Sequence, residues 1–228
     1  MIYDFNVTTN IEKHYDICIL GTGPAGITLA RKLSLNGRSV ALFEAGGLDY
    51  SEESQEFYDC ESVGHDGWPK FTRLRYFGGT SNHWSGRCRP FESSDFSDRK
   101  INGLPGWPIR YGYIEPYLTE AMGILDLNIA DGFQPINDDL LEASFHADAF
   151  SKSPPTRFKQ KYLPEIEASE NIDCFYNATA VDLILDQPHQ TVTQVKVRNY
   201  KNHQTVVSAT KFIICLGTSM SCHRYHVT

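Results

Sequence analysis

Gly21, Gly23 and Gly26, in the string GTGPAG, and Glu44 at the end of a later apolar run have the types and spacing that most directly imply chemistry. The pattern G-x-G-x-x-G belongs to a loop that brings a diphosphate onto the main chain. Its first glycine permits the tight turn, its second lets a pyrophosphate approach the backbone, and its third lets helix and strand pack closely. Pro24 and Ala25 open the helix whose first amides and dipole then face the diphosphate. Glu44, eighteen residues past Gly26, is placed to accept hydrogen bonds from ribose hydroxyls. No arginine follows it closely, so a 2′-phosphate lacks an evident partner and a phosphorylated nicotinamide cofactor is disfavoured. The spacing alone does not separate FAD from NAD.

These residues need particular elements to hold them. Ile17 to Leu20 is a short continuous apolar run, suited to a strand buried on both faces. The segment from Pro24 carries Ile27, Ala30, Leu33 and Ser34 at helical spacing and closes at Gly37. Val40 to Phe43 then reads as a second buried strand ending in Glu44, which completes a βαβ unit. Gly47 to Arg75 is polar and without periodicity, so it is expected to lie over the surface. After Gly78 and Gly79, a segment punctuated by Pro and Gly leads to Ile114, Tyr117, Leu118, Ala121, Met122 and Leu125, spaced as a helix. The last third changes period. Ala180 to Leu185, Val192 to Val197, Thr205 to Ser208 and Lys211 to Leu216 read as strands of a small meander, and the last of them resembles the first strand enough to re-enter a parallel sheet.

Composition bounds the partners. With 228 residues, 41% of them hydrophobic, the chain can bury one substantial core. A formal charge of −7 with scattered basic residues argues against nucleic acid and anionic membranes and for a small-molecule partner. Six cysteines without a CxxC pair, two of them in apolar runs, suggest a reducing compartment. No run is long enough to span a bilayer, and the start lacks the character of a signal peptide. A cytoplasmic location is the expectation.

Four stretches, in this order, carry a family resemblance: YDICILGTGPAGITLARKL with FEAGG, FGGTSNHWSG, GWPIRYGYIEPYLTEA, and NATAVDLIL with the strands after it. The chain resembles the glucose-methanol-choline (GMC) oxidoreductases, flavoenzymes that oxidise alcohols and sugars. The resemblance implies a Rossmann-like α/β domain with a parallel sheet and a small β-meander, formed by residues 1–89 and 170–228. A partly helical insertion over 90–169 would belong to an incomplete substrate domain. It implies FAD held by Gly21, Gly23, Pro24, Ala25, Gly26 and Glu44, with Gly78, Gly79, Thr80 and Ser81 beside the pyrophosphate and flavin. Asn82, His83 and Trp84 would lie near the isoalloxazine, a backbone group of Val181 would meet the adenine, and Gly217 would close the site. Some relatives attach the flavin covalently through a histidine matching His83; the alternative is that His83 only hydrogen-bonds nearby backbone or flavin oxygens. The reaction implied is oxidation of a CH–OH group of an alcohol or sugar by hydride transfer to flavin N5.

The pattern breaks after FIICLG, where TSMSCHRYHVT replaces the expected G-x-x-x-x-[PA]-R-x-L-L. Family members are longer, and their second half supplies the proton-accepting histidine, so the chain reads as truncated, with no catalytic base among its residues. Two other readings stand beside this one: a product that binds FAD without catalysis or misfolds, and a nicotinamide-linked domain. His223 and His226 in CHRYH form a weak candidate metal site, and a displaced tail is the preferred reading. Arg73, Arg75, Arg87 and Arg89 either screen the diphosphate or are solvated surface charges. Tyr111, Tyr113 and Tyr117 are expected to pack a helix.

Overall fold

A computed structural model of the chain describes residues 1–8, 10–59, 69–97, 106–128, 150–186, 188 and 190–217. Cys60, Cys222, His223 and His226 lie outside them. The chain forms two units, Met1–His83 with Arg157–Thr228, and Trp84–Thr156.

The first unit is built on a seven-stranded sheet of order β1-β6-β3-β2-β9-β8-β7. The strands are β1 (Ile2–Asp4), β2 (Tyr15–Leu20), β3 (Val40–Phe43), β6 (Ile172–Tyr176), β7 (Thr179–Asp186), β8 (Thr191–Arg198) and β9 (Gln204–Ile214). The first five in spatial order run parallel. All four residues of β3 and five of six in β2 are buried, the pattern of strands covered on both faces. Cys18 and Leu20, Ala41 and Phe43, and Phe175 join Val195, Val197 and Val207 in one apolar cluster, within which Phe43 stacks on Phe175 at 5.2 Å.

Helix α1 (Pro24–Leu35) connects β2 to β3 and buries Gly26, Ile27, Ala30 and Ser34. Asn36 caps it, and Gly37 follows at φ 74°, the left-handed value that ends a helix cheaply for glycine. Two short helices, α2 (Glu52–Gln55) and α3 (Pro69–Thr72), interrupt the polar stretch after Gly47. That stretch is not all surface, because Ser54, Gln55 and Arg75 are buried.

Two strand segments expected to be separate are one. The eleven residues of β9 pair antiparallel with β8 through Gln204 to Ser208 and parallel with β2 from Ala209 onward. A single strand thus carries the meander into the parallel sheet. β1 and β6 have no counterpart in the sequence reading. Asp173 on β6 explains why that strand is hidden: a buried carboxylate sits near its amino end, held by Lys13 Nζ at 2.8 Å and the Tyr15 hydroxyl at 3.0 Å.

In the second unit, β4 (Arg87–Cys88) pairs antiparallel with β5 (Ser151–Lys152), and α4 covers Leu118–Ile124. The helix expected from Ile114 begins later, since Tyr111–Tyr113 and Glu115–Tyr117 form 3₁₀ turns and Pro116 withholds an amide. Tyr113 and Tyr117 are exposed and do not pack a helix, while Tyr111 leans on Phe96 at 6.0 Å. Helix α5 (Phe158–Ala168) returns to the first unit, burying Phe158, Tyr162 and Ile166 despite an internal Pro164. Arg31 of α1 lies 4.1 Å over the Tyr162 ring and pairs with Glu165. Among the described residues no helix is long and apolar enough to cross a membrane, and the four cysteines are free thiols.

Candidate functional site

β2 lies between β3 and β9, so the chain leaves it in one direction and returns on its other side, which makes a crevice at the carboxyl ends of these strands. A cavity of about 490 Å³ lies there. Gly21 to Ala25 follow β2, Glu44 and Ala45 follow β3, and Cys215 to Gly217 follow β9; all line it. Arg73 to Arg75, Gly79 and Thr80, Tyr58, Thr179 and Ala180 complete the wall.

The three loop glycines differ in what surrounds them. A Cβ on Gly21, at φ 103°, would stand 2.5 Å from the Cys215 carbonyl oxygen. One on Gly26 would stand 1.9 Å from the Gly21 carbonyl oxygen. Both are required by the packing of the chain on itself. Gly23, with ordinary backbone angles, would meet nothing within 4 Å. Its missing side chain leaves open space at a residue that lines the cavity. The first intrahelical bond of α1 runs from the Ile27 amide to the Gly23 carbonyl (3.0 Å), so the Ala25 and Gly26 amides have no intrahelical acceptor.

The second glycine pair is stitched onto the first loop. Gly78, at φ 91°, donates its amide to the Thr22 carbonyl at 3.0 Å, and a Cβ on Gly79 would lie 3.3 Å from the Gly23 Cα. Ser81 is buried and donates to the Gly78 carbonyl at 2.7 Å, and Asn82 donates to the Phe77 carbonyl at 2.8 Å. The sequence signal FGGTSN thus folds as a self-capped turn against GTGPAG. His83 is exposed, with its amide on the Thr80 carbonyl at 3.2 Å, and it does not line the cavity. Trp84 belongs to the second unit, where its indole donates to the Thr156 carbonyl at 2.9 Å.

Glu44 is 6% exposed. One carboxylate oxygen accepts the Thr22 amide at 3.2 Å and the Thr22 hydroxyl; the other accepts the Gly46 amide at 2.8 Å. Four lone-pair directions are available to a carboxylate, so this network orients the group without exhausting its capacity. Thr22 and Gly46 went unread because their roles lie in bonds to Glu44 rather than in a spacing. Val181 is not among the lining residues, but Thr179 and Ala180 just before it are. The β7 to β8 register skips between Ala180 and Asp182, so Val181 is the bulged residue and lacks a cross-strand partner there.

Arg75 is the largest departure from expectation. It is 4% exposed, with its guanidinium on the hydroxyls of Tyr200 (2.6 Å), Thr179 (2.9 Å) and Ser54 (3.2 Å) and 4.3 Å over the Phe57 ring. It is neither a solvated charge nor a free counterion. Arg73 is exposed but lines the cavity; Arg87 and Arg89 lie in the second unit, where Arg89 pairs with Glu92. Burial pushes the Cys215 thiol up, which keeps it protonated and poorly nucleophilic at neutral pH. No histidine lines the cavity among the described residues, and none of their His, Cys, Asp and Glu form a group suited to a metal.

Fold and crevice together put the first unit in the Rossmann-like α/β class of dinucleotide-binding folds. No family model matches the chain. Its fold is similar to that of pyridoxine 4-oxidase from Mesorbium loti, with a TM-score of 0.55 and 18% identity over 89% of this chain and 49% of that one. A fungal aryl-alcohol oxidase gives 0.55 and 14% identity over 91% and 46%. Formate oxidase from Aspergillus oryzae, studied for FAD modification, gives 0.52 and 17% over 90% and 46%. These structural neighbours are GMC oxidoreductases, and the fold is the one the sequence resemblance implied. A curated relative, dehydrogenase str4 of Strobilurus tenacellus, is 33% identical over 135 residues, covering 49% of this chain and 21% of that protein. The chain spans about half the length of the solved structures it matches.

Proposed function

We propose that the chain is the FAD-binding part of a GMC oxidoreductase acting on CH–OH groups of a small alcohol or sugar. One observation carries the reading. Gly21 and Gly26 are demanded by internal packing, whereas Gly23 lines the cavity and a Cβ there would meet nothing within 4 Å, which suits the approach of a diphosphate. The residues present fit the group. Gly23, Ala25 and Gly26 would hold the pyrophosphate with the α1 dipole behind them. Glu44 would take the adenosine ribose, and the bulged Val181 has backbone groups to offer the adenine edge. Gly78 to Ser81 would flank the pyrophosphate on its way to the flavin, with Asn82 and His83 beyond them and Gly217 at the end of β9.

Bound flavin supplies the hydride acceptor; the residues here bind it, orient it and set the charge around it. Removal of the substrate proton needs a base within hydrogen-bond reach, and none of the cavity residues is assigned that role. The test is the visible spectrum of the purified chain after loading with FAD and removal of the excess. A flavin band retained in stoichiometric amount supports the reading, and no retained flavin refutes it for this chain. Acid precipitation of the loaded protein then separates flavin bonded to His83, which stays with the pellet, from flavin that is released.

A further inference from the structure

Arg75 and Glu44 are a buried cation and a buried anion in one cavity wall, yet among the described residues Arg75 forms no ion pair. Isolated buried charges are costly, so each must be compensated through something other than direct contact. A continuous path joins them. The Arg75 guanidinium donates to the Tyr200 hydroxyl at 2.6 Å, and that hydroxyl donates to the Ala45 carbonyl at 2.9 Å. The Ala45 carbonyl and the Gly46 amide are two ends of one peptide unit, and the Gly46 amide donates to Glu44 at 2.8 Å. Every dipole along this path points the same way, from cation to anion. Charge-assisted bonds in series polarise and strengthen one another. Gly46 packs closely on the Arg75 backbone, since a Cβ there would stand 1.9 Å from the Arg75 carbonyl oxygen.

We infer that Arg75 and Tyr200 are positioning residues for Glu44. By fixing the Ala45–Gly46 peptide they aim the carboxylate so that its free lone pairs meet the hydroxyls of an adenosine ribose, and they thereby set a preference for ribonucleotide over deoxynucleotide. Thr22 pins the second carboxylate oxygen. The inference rests on the dinucleotide reading of this cavity.

The experiment measures binding of ADP and of 2′,3′-dideoxy-ADP by calorimetry to the full chain, to Tyr200→Phe and to Arg75→Gln. Tyr200→Phe removes one oxygen and keeps the ring, so it retains the edge contact with Phe57. The wild type is expected to prefer ADP by about tenfold or more, the value of a hydrogen bond to a charged group. In Tyr200→Phe the preference falls to about threefold or less while the dideoxy nucleotide binds as before, and Arg75→Gln moves the same way. Equal weakening of both nucleotides marks a purely structural role and overturns the inference, as does an unchanged preference in Tyr200→Phe. A wild-type chain that binds neither nucleotide overturns the dinucleotide reading itself.

Discussion

Replacing Gly23 by alanine separates what the protein needs from what its ligand needs. The backbone there is at φ −67° and ψ −179°, open to any residue, and the new methyl group meets nothing within 4 Å. Two small stability effects then oppose each other. Restricting the unfolded chain stabilises by about 0.4 to 1 kcal/mol, and alanine is a poorer N-cap than glycine by roughly 0.5 to 1 kcal/mol. The net is within about 0.5 kcal/mol, a melting shift under about 2 °C for a unit of this size. Binding behaves differently. A methyl group on the cavity side pushes a diphosphate off the helix start, and losing one charge-assisted amide bond of about 1.5 to 3 kcal/mol lowers affinity roughly 10- to 150-fold.

Gly26→Ala is the matched control, because its Cβ falls 1.9 Å from the Gly21 carbonyl oxygen and forces helix and loop apart. Overpacking of that kind costs about 3 kcal/mol or more, which lowers the melting temperature by roughly 6 °C or more. The assay is a thermal melt paired with ADP titration for each variant. A Gly23→Ala chain that binds ADP as tightly as the wild type refutes the assignment of that open space to a diphosphate. One that loses as much stability as Gly26→Ala refutes the packing argument instead.

Burial raises the pKa of the Cys18 and Cys174 thiols well above the ordinary range and raises that of Tyr15 too, through burial and then Asp173. The folded state therefore keeps protons that the unfolded state releases. Stability is full below about pH 8.5 and falls as pH rises, by about 3 kcal/mol between pH 7 and 9.5 for the two thiols together. Urea midpoints at the two pH values check this, and replacing both cysteines by alanine should flatten the dependence. Asp173→Ala removes the acceptor shared by Lys13 and Tyr15, at a cost of about 1.5 to 3 kcal/mol. Asp173 lies toward the amino end of β6, away from the cavity at the carboxyl ends, so ADP affinity should not change while the urea midpoint falls.

What was legible in the sequence was local. β2, α1, β3 and Glu44 follow one another with glycines as punctuation, so an apolar run, a helical period and a second apolar run suffice to place them. The meander was legible for the same reason, because its strands alternate and are separated by turns. β6 was not, since Asp173, whose partners lie about 160 residues earlier, interrupts the continuous apolar run expected of a strand buried on both faces. Nor was α5, where Pro164 masks the i, i+4, i+8 row of Phe158, Tyr162 and Ile166.

Arg75 shows why charge is the hardest feature to place from sequence. In the string RLRYFGG it is one of two arginines just before a glycine turn, and nothing local distinguishes it from the exposed Arg73. Its burial depends on hydroxyls from Ser54, Thr179 and Tyr200, which are 21, 104 and 125 residues away. Each of those hydroxyls belongs to a different element, α2, β7 and the turn after β8, and only the closed sheet brings them together. The consequence runs back to the one acidic residue the motif did reveal. Glu44 is expected from its spacing to accept from a ribose, and in the arrangement inferred above the direction its carboxylate faces is set by a peptide whose orientation is fixed from Arg75. In the proposed site the motif therefore marks where a dinucleotide would sit, and the long-range hydroxyl network would decide how well it is held.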